Sequence, residues 1–466
     1  MFLTIVKKEL LANLLSLRFT ISLLLCFVLI LVSAYTMREK YETQVQEYSA
    51  AVKMRKEILE KATSIGELGG GYNLDKPPVP LSIIADGLDT IAGKVVTISI
   101  VGEPALEGSV LKSDPMYGFF GTLDSVFIIK IVISLLAILF AYDAISGERE
   151  RGTLKLILSN SVPRASVILS KWVGSYISLI LPFIVSLLIG LLIIISSPYI
   201  AFSGEDWVRL GLIVLVSLIY IWFFSVVGLF VSVKTNKAAT SIIVLLFVWV
   251  LFVLVIPKTT IMLAKQIYRV PSVQEIQGQK DAVTQQALKE IMEHVNPDKM
   301  PEEIKSIKDL KAKQKAIGDF VVKKQEEMIA KIEEKHGQIE GAYRDKRNRQ
   351  IQIGMDLSRI SPVSSYTYTT AALARTDFEH QETFVRAAKR YQMDFTRFYN
   401  EQVREMVKTG IQEAKLDLTG FPEFSFRQET LDESLTHVWI DIILLLLFST
   451  TFFMLAVISF LRADVR

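Results

Sequence analysis

Residues equipped for catalysis or ligation are sparse in this sequence. The four histidines, His294, His336, His380 and His437, are widely separated, so any metal site would have to be assembled by folding. No His-Glu-x-x-His motif sets two imidazoles on one helical turn. Three of the histidines fall between residues 258 and 436, a spacing that lone surface histidines also produce. The single cysteine, Cys26, lies inside an apolar run and has no partner for an intramolecular disulfide. There is no G-x-x-x-x-G-K-[ST] loop, and the cluster Gly69-Gly70-Gly71 lacks the lysine and the helix start that phosphate binding requires. Nucleotide hydrolysis by that route is therefore excluded for this chain. We expect no catalytic residues, no metal and no cofactor bound by the chain itself.

The densest polar pattern is Asp143-Ala144-Ile145-Ser146-Gly147-Glu148-Arg149-Glu150-Arg151-Gly152-Thr153-Leu154-Lys155, followed by Ser161-Val162-Pro163-Arg164 and Lys171. Alternating charge of this kind favours a helix and is excluded from lipid. Short and flanked by glycines, it suits the docking of a soluble partner; a solvated turn between two apolar helices accounts for the charge equally well. Two further ionisable groups stand inside apolar runs, Lys130 about six residues beyond Asp124 and Asp441 about four residues into the last run. Charges in such places are costly and mark candidate functional positions. They could pair across a helix interface as a gate. Alternatively, Lys130 snorkels to the membrane surface and Asp441 sits at the interface.

The elements that must hold these groups follow from composition. Of 466 residues, 51% are hydrophobic, 22% are charged, and mean hydropathy is +0.37. So much apolar material points to lipid, whereas the charged share requires polar regions as well. A net charge of +3 is too near neutral to imply nucleic acid as a partner. A lipid-crossing helix takes about 20 apolar residues, and six segments qualify: 19–37, 123–142, 173–197, 208–231, 238–257 and 437–461. The first has some features of a secretory leader, with Lys7 and Lys8 before it and Val32-Ser33-Ala34 at its end, but its apolar run is longer than a usual leader. Pro182 is positioned to bend the third.

The short connections give the orientation. One side collects Lys7, Lys8 and Arg18; Arg149, Arg151, Lys155, Arg164 and Lys171; Lys234 and Lys237; and Arg462 and Arg466, while the short loop from Ser196 to Trp207 on the other side holds no lysine or arginine. The positive-inside rule places both termini in the cytoplasm.

Two long connections, 38–122 and 258–436, then lie outside the cytoplasm, and they are too long to be linkers. The first begins with a charged helical stretch, Arg38 to Lys61, that prolongs span 1. After Lys76-Pro77-Pro78 come β-prone runs such as Val95-Val96-Thr97-Ile98-Ser99-Ile100, which suggest a small mixed α/β lobe. The second is expected to be mainly helical. From Pro301 to Met355, Leu310, Val321, Ile332 and Tyr343 recur every eleven residues, with Ile317, Met328 and Ile339 between them. Unbroken, that helix spans roughly 80 Å; Gly318, Gly337 and Gly341 are candidate breaks into a hairpin, and Ser361-Pro362 ends it. A further helix, 377–408, carries Phe378, Phe384, Tyr391, Phe395, Phe398 and Tyr399, a stripe suited to packing on the long helix or to receiving an apolar ligand or partner.

The segment Gly147 to Thr153, with the Pro163-Arg164 turn after it, resembles the region joining spans 2 and 3 in ABC-2-type transporter permeases. The amphipathic start, with Phe2, Ile5, Val6, Leu10 and Leu14 beside Lys7, Lys8 and Glu9, is similar to that family's interfacial elbow helix. The stretch from Ser361-Pro362 to Ala374-Arg375-Thr376-Asp377 resembles the second outer region of a subfamily with large extracytoplasmic insertions. The resemblance implies a multi-pass permease subunit of a prokaryotic plasma (inner) membrane, embedded in lipid. It would pair with a separate ATPase subunit in two copies, and with a second permease copy or paralogue. ATP and Mg would be bound in the ATPase. Gly147, Glu148, Arg149, Glu150, Arg151, Gly152 and Thr153 would be the coupling helix seated in the ATPase, with the four charged residues supplying complementary charge, so charge reversal at Glu148 and Glu150 would uncouple the two. Export is the expected activity; the alternative is ATPase-driven motion passed to an extracytoplasmic enzyme or assembly without translocation, with the outer regions meeting a partner there.

Overall fold

The structure, a computed structural model, describes residues 2–62, 71–89, 93–100, 104, 106–107, 123–159, 162–295, 301–307, 310–409 and 420–463. Six helices are long and apolar enough to cross a membrane: Leu17–Lys61, Ser125–Glu150, Arg164–Ile195, Gly204–Lys234, Ala238–Ile267 and Leu431–Arg462. A short helix, α1 (Phe2–Leu14), precedes them.

The first long helix, α2 (Leu17–Lys61), runs 45 residues without a break, and the Ser16 hydroxyl caps its start by accepting from the Phe19 amide at 3.3 Å. Next come three antiparallel strands in the order β1 (Tyr72–Asp75), β2 (Val95–Ile98) and β3 (Leu106–Glu107). In β2, Val96 and Ile98 are buried and alternate with half-buried Val95 and Thr97. The second span, α3, is Ser125–Ile128 continued through a π-helical turn, Ile129–Ile133, into Ser134–Ala141. Two short helices follow, α4 (Ser146–Glu150) and α5 (Thr153–Ser159). After them come α6 (Arg164–Ile195) and α7 (Gly204–Lys234). The fifth span, α8, is Ala238–Val250 carried through a second π turn, Leu251–Val255, into Ile256–Ile267.

Beyond α8 lie α9 (Val273–Val295), α10 (Glu302–Lys305), α11 (Leu310–Ser358), α12 (Pro362–Leu373), α13 (Phe378–Thr409) and the sixth span, α14 (Leu431–Arg462).

The chain divides into two compact units. One takes Met1–Ser99, Pro104–Thr259 and Ser358–Arg466, and the other includes Thr260–Leu357. This departs from an outer domain running from 258 to 436, because residues 358–436, nearly half of it, group with the spans. Helix α12 is built almost wholly of buried Ser, Thr, Tyr and Ala, and it packs against α7 and α14. Tyr366 stacks on Tyr220 of α7, ring centroids 4.3 Å apart, and its hydroxyl shares a 3.0 Å bond with Ser217. At the second π turn, the Phe252 carbonyl accepts from the Ser361 hydroxyl at 2.7 Å. Away from water such polar pairs hold helices together where apolar burial cannot.

Helix α7 is the centre of this unit, packing on α3, α12 and α14, while α6 packs on α1 and α2. Close approach depends on small residues. A Cβ placed at Gly228 of α7 would meet the Ala141 Cβ at 2.6 Å. Gly228→Val is therefore expected to cost about 1–3 kcal/mol by overpacking, and adding Ala141→Gly should restore most of it. Monodisperse yield of the single and double variants on size exclusion checks this.

In the other unit, α9 and α11 pair antiparallel. Lys331 Nζ meets Glu290 Oε2 at 2.9 Å, Lys280 pairs with Glu340, and Gln350 Nε2 donates to the Tyr268 carbonyl at 2.6 Å. Ile276 and Ala287 of α9 and Met328 of α11 are buried there. The hairpin thus forms between α9 and α11 and not within the long helix. Gly318 and Gly341 have no atom within 4 Å of a would-be Cβ, so they sit on open faces of an uninterrupted 49-residue helix.

The aromatic stripe of α13 has different neighbours from those expected. Tyr391 and Phe395 pack edge-on to Tyr72 of β1, Phe384 to Phe424 and Phe426, and Phe398 to Phe421. The stripe is the core between the small sheet and the 421–426 segment, and not a face applied to the long helix.

Candidate functional site

The charged loop between the second and third spans comprises α4 and α5, joined by a turn in which Gly152 takes a φ of +74°, a conformation glycine adopts without strain. One side of the loop is apolar. Ile145 and Leu154 are buried among Val167, Ile168, Leu229, Val233, Ala456 and Phe460, which come from α6, α7 and α14. The amides of Ile145 and Ser146 both donate to the Ser232 hydroxyl of α7 at 3.0 Å. Gly147 is buried, and a Cβ there would meet the Asp143 Cβ at 3.2 Å.

Three of the four charges expected to face a partner are instead used within the chain. Glu148 is buried, and its Oε1 accepts from Lys171 Nζ of α6 at 2.6 Å. Lys171, itself 2% exposed, also donates to Glu9 of α1 at 2.9 Å. One ammonium therefore ties the loop, the third span and the N-terminal helix together. Arg149 Nη1 donates to the carbonyls of Val233 and Thr235 at 3.1 and 2.9 Å and to Asn236 Oδ1 at 3.2 Å, engaging the C-terminal end of α7. Glu150 Oε2 accepts from the Ala238 amide at 3.0 Å and so caps the start of α8. Before the loop, Arg18 pairs with Asp143 at 2.9 Å; after it, Arg164 donates to the carbonyls of Leu461 and Ala463, both at 3.1 Å, at the end of α14. Ser161 lies outside the described residues.

The loop is thus bonded directly to α6, to α7 and its C-terminal end, and to the start of α8, and it packs on α14; Lys171, Asp143 and Arg164 beside it carry the network on to α1, α2 and α14. The residues left exposed on it include Glu150, Arg151, Gly152, Thr153, Lys155 and Leu156. Thr153 also closes the turn, its hydroxyl donating to the Glu148 carbonyl at 3.3 Å.

The two isolated charges, Lys130 and Asp441, do not form the pair that one of the two readings of their positions predicts. Asp441 is fully buried, and both its carboxylate oxygens accept from Arg359, Oδ1 from Nε and Oδ2 from Nη2, each at 2.9 Å. This bidentate match of guanidinium to carboxylate outcompetes a lone ammonium. Lys130 lies in the π turn of α3 with its Nζ 5.6 Å from the Phe127 ring.

At the opposite end of α7, Arg209, not among the residues singled out from the sequence, forms a clamp with Arg375 of the Ala374-Arg375-Thr376-Asp377 stretch. Arg209 is fully buried and donates to Glu205, the Leu373 carbonyl, the Ser434 hydroxyl and the Glu429 carbonyl, at 2.9 to 3.1 Å. Arg375, at a φ of +58°, bonds Glu205, Asp206, Gln428 and the Glu429 carbonyl. The signal was present in Glu205-Asp206 and Arg209 one helical turn apart at the start of a span, and in the Ala374-Arg375-Thr376-Asp377 turn.

The histidines do not converge. His336 Nε2 is 3.0 Å from the Lys280 carbonyl, whereas His380 is fully buried with its ring edge-on to Phe426. Burial pushes the His380 imidazole down to about 3, which keeps it neutral. The side chain of His294 lies outside the described part. Among the described residues, no three His, Cys, Asp or Glu side chains come together as metal ligands.

Among the described residues, six helices long and apolar enough to cross a membrane, with a charged loop packed against them, define a multi-pass membrane protein. The chain belongs to the ABC-2 family of transporter proteins, whose pattern it matches over residues 3–465. It is also similar to the probable ABC transporter permease protein NosY of Stutzerimonas stutzeri, 33% identical over 124 residues. That match takes in 27% of this chain and 45% of the relative's length.

Proposed function

We propose that this chain is the permease subunit of an ATP-driven transporter and that α4 and α5 are its coupling element. The observation that carries the proposal is the attachment of one short loop to α6, α7 and α8 and, by packing, to α14, with Arg151, Gly152, Thr153 and Leu156 left outward. A separate ATPase, present in two copies and holding ATP and Mg, seats that edge in a groove. The permease itself pairs with a second copy or a paralogue. Closure of the ATPases displaces the loop, and the bonds of Glu148, Arg149 and Glu150 pass the displacement to the spans. Those three act as anchors, and Arg151 is the charge that meets the ATPase. The Lys and Arg distribution supports a cytoplasmic loop and cytoplasmic termini. Export is the direction we favour.

A second reading rests on the α9–α11 hairpin. A 49-residue helix in a compact unit of its own exceeds what a translocation path requires, and it suits passing the motion to an extracytoplasmic enzyme or assembly. Flux in proteoliposomes separates the two readings.

The coupling assignment is tested with Arg151→Glu combined with Leu156→Asp. Both side chains are exposed, so folding should be unaffected, while recovery of ATPase activity with the purified chain should fall at least about tenfold, the effect of roughly 1.4 kcal/mol. Undiminished co-purification would overturn it.

A further inference from the structure

Beside the loop, a cleft of about 620 Å³ opens between the α4–α5 turn, the end of α7 and the last two turns of α14. Its lining includes four cations, Arg149, Lys155, Lys234 and Arg462, and among the described residues no acid. Lys155, Lys234 and Arg462 are all exposed, and each approaches from a different segment of the chain. Like charges gathered in this way repel one another unless an anion is held between them.

The opposite wall of the cleft is apolar. Leu455 and Ile458 of α14 line it and are 42% and 46% exposed. With Arg462 they form one helical stripe, at intervals of three and four residues. At about 1.5 Å per residue, Leu455 lies roughly 10 Å along the helix from Arg462. Cations therefore ring the mouth, and an apolar track leads from it along the flank of a membrane span. A soluble anion needs only the first of these features, and an acidic protein segment has no use for the second. A glycerophospholipid uses both, phosphate at the cations and acyl chain on the track.

We propose that this cleft is a binding site for an anionic phospholipid, whose headgroup phosphate is held by Lys155, Lys234 and Arg462 while its acyl chain lies along Leu455 and Ile458. Only the leaflet, the cytoplasmic one, rests on the topology given above. The bound lipid would join the coupling loop to the end of the last span, whose terminal carbonyls Arg164 already holds.

The test uses the full-length chain in nanodiscs, with native mass spectrometry reading retained lipid and with phosphatidylglycerol and phosphatidylcholine offered in competition. Retention of phosphatidylglycerol at least about tenfold over phosphatidylcholine is expected. The triple variant Lys155→Gln, Lys234→Gln, Arg462→Gln should bring that preference down to near one, each charge contributing up to about fivefold. Arg149 is left in place because it holds the α7 carbonyls. Leu455→Ser with Ile458→Ser, which keeps every charge, should weaken retention as well. Equal retention of both lipids, or a triple variant indistinguishable from the parent, would overturn the proposal. If millimolar inorganic phosphate displaces the lipid and the two serine substitutions have no effect, the site takes a soluble phosphate and the lipid assignment fails. Displacement of lipid by the co-purified ATPase, equally in both lipids, would assign the cleft to the protein partner. The coupling proposal stands or falls separately, on Arg151 and Leu156.

Discussion

Lys171→Met should be the most damaging single substitution at the loop end of the bundle. Its ammonium is almost completely buried and is the common partner of Glu148 and Glu9. Removing it leaves the buried Glu148 carboxylate without its cation, and breaking a buried pair from one side costs about 3–5 kcal/mol. Glu148→Gln on its own should cost less, because Lys171 keeps Glu9 as a partner. The double variant should recover part of the loss suffered by Lys171→Met, since the uncompensated charge is gone. Unfolding midpoints of the four proteins in one detergent give the coupling directly; additivity within about 0.5 kcal/mol would mean that the two residues do not interact. The same cycle bears on function. Glu148 acts as an anchor, so charge reversal at Glu148 and Glu150 should uncouple the ATPase by loosening the loop from α6 and α8, together with a fall in stability. Reversal at Arg151 should uncouple without that fall.

The second large effect is expected at Asp441→Leu. It deprives the Arg359 guanidinium of a two-point acceptor at a fully buried position, and a loss of about 3–5 kcal/mol follows by the same reasoning. Arg359→Leu in the same chain should restore much of it, since replacing both members of a buried pair with apolar residues is often close to neutral. Lys130→Met should simply add to either change. Coupling between Lys130 and Asp441 in a cycle of unfolding midpoints, with none between Arg359 and Asp441, would contradict the pairing described here.

The apolar framework was legible because lipid imposes a length and a composition that few other environments do. Six blocks of that kind correspond to six long helices. The loop was legible as a polar interruption, but the direction of its charges was not. Alternating Glu and Arg on a five-residue helix look alike on both faces, and what turned Glu148 inward lies 23 residues away at Lys171 and on another helix at Glu9. The same holds for Asp441, whose partner is 82 residues distant. The eleven-residue stripe did show one face of α11, but not that α9 covers it. Its glycines suggested breaks, yet each costs only about 1 kcal/mol in a helix otherwise intact. Burial of α12 went unread because a segment rich in Ser, Thr and Tyr has the composition of a surface, and only its pairing with Ser217 and Tyr220 makes it interior.

The placement of α12 and α14 against α7 has a consequence for biosynthesis. The contacts that complete the centre of the bundle join Arg209, Ser217 and Tyr220 to partners between residues 366 and 434. Five spans leave the ribosome before those partners exist, and at 5–20 residues per second the gap lasts on the order of ten seconds or more. During that interval Arg209 lacks its Leu373, Glu429 and Ser434 acceptors and keeps only Glu205, while Ser217 and Tyr220 lack Tyr366, a state that insertion factors must shield or quality-control proteases will find. Chains truncated before Leu431 should therefore be degraded rather than accumulate as five-span intermediates, and pulse-labelling of such truncations would reveal it.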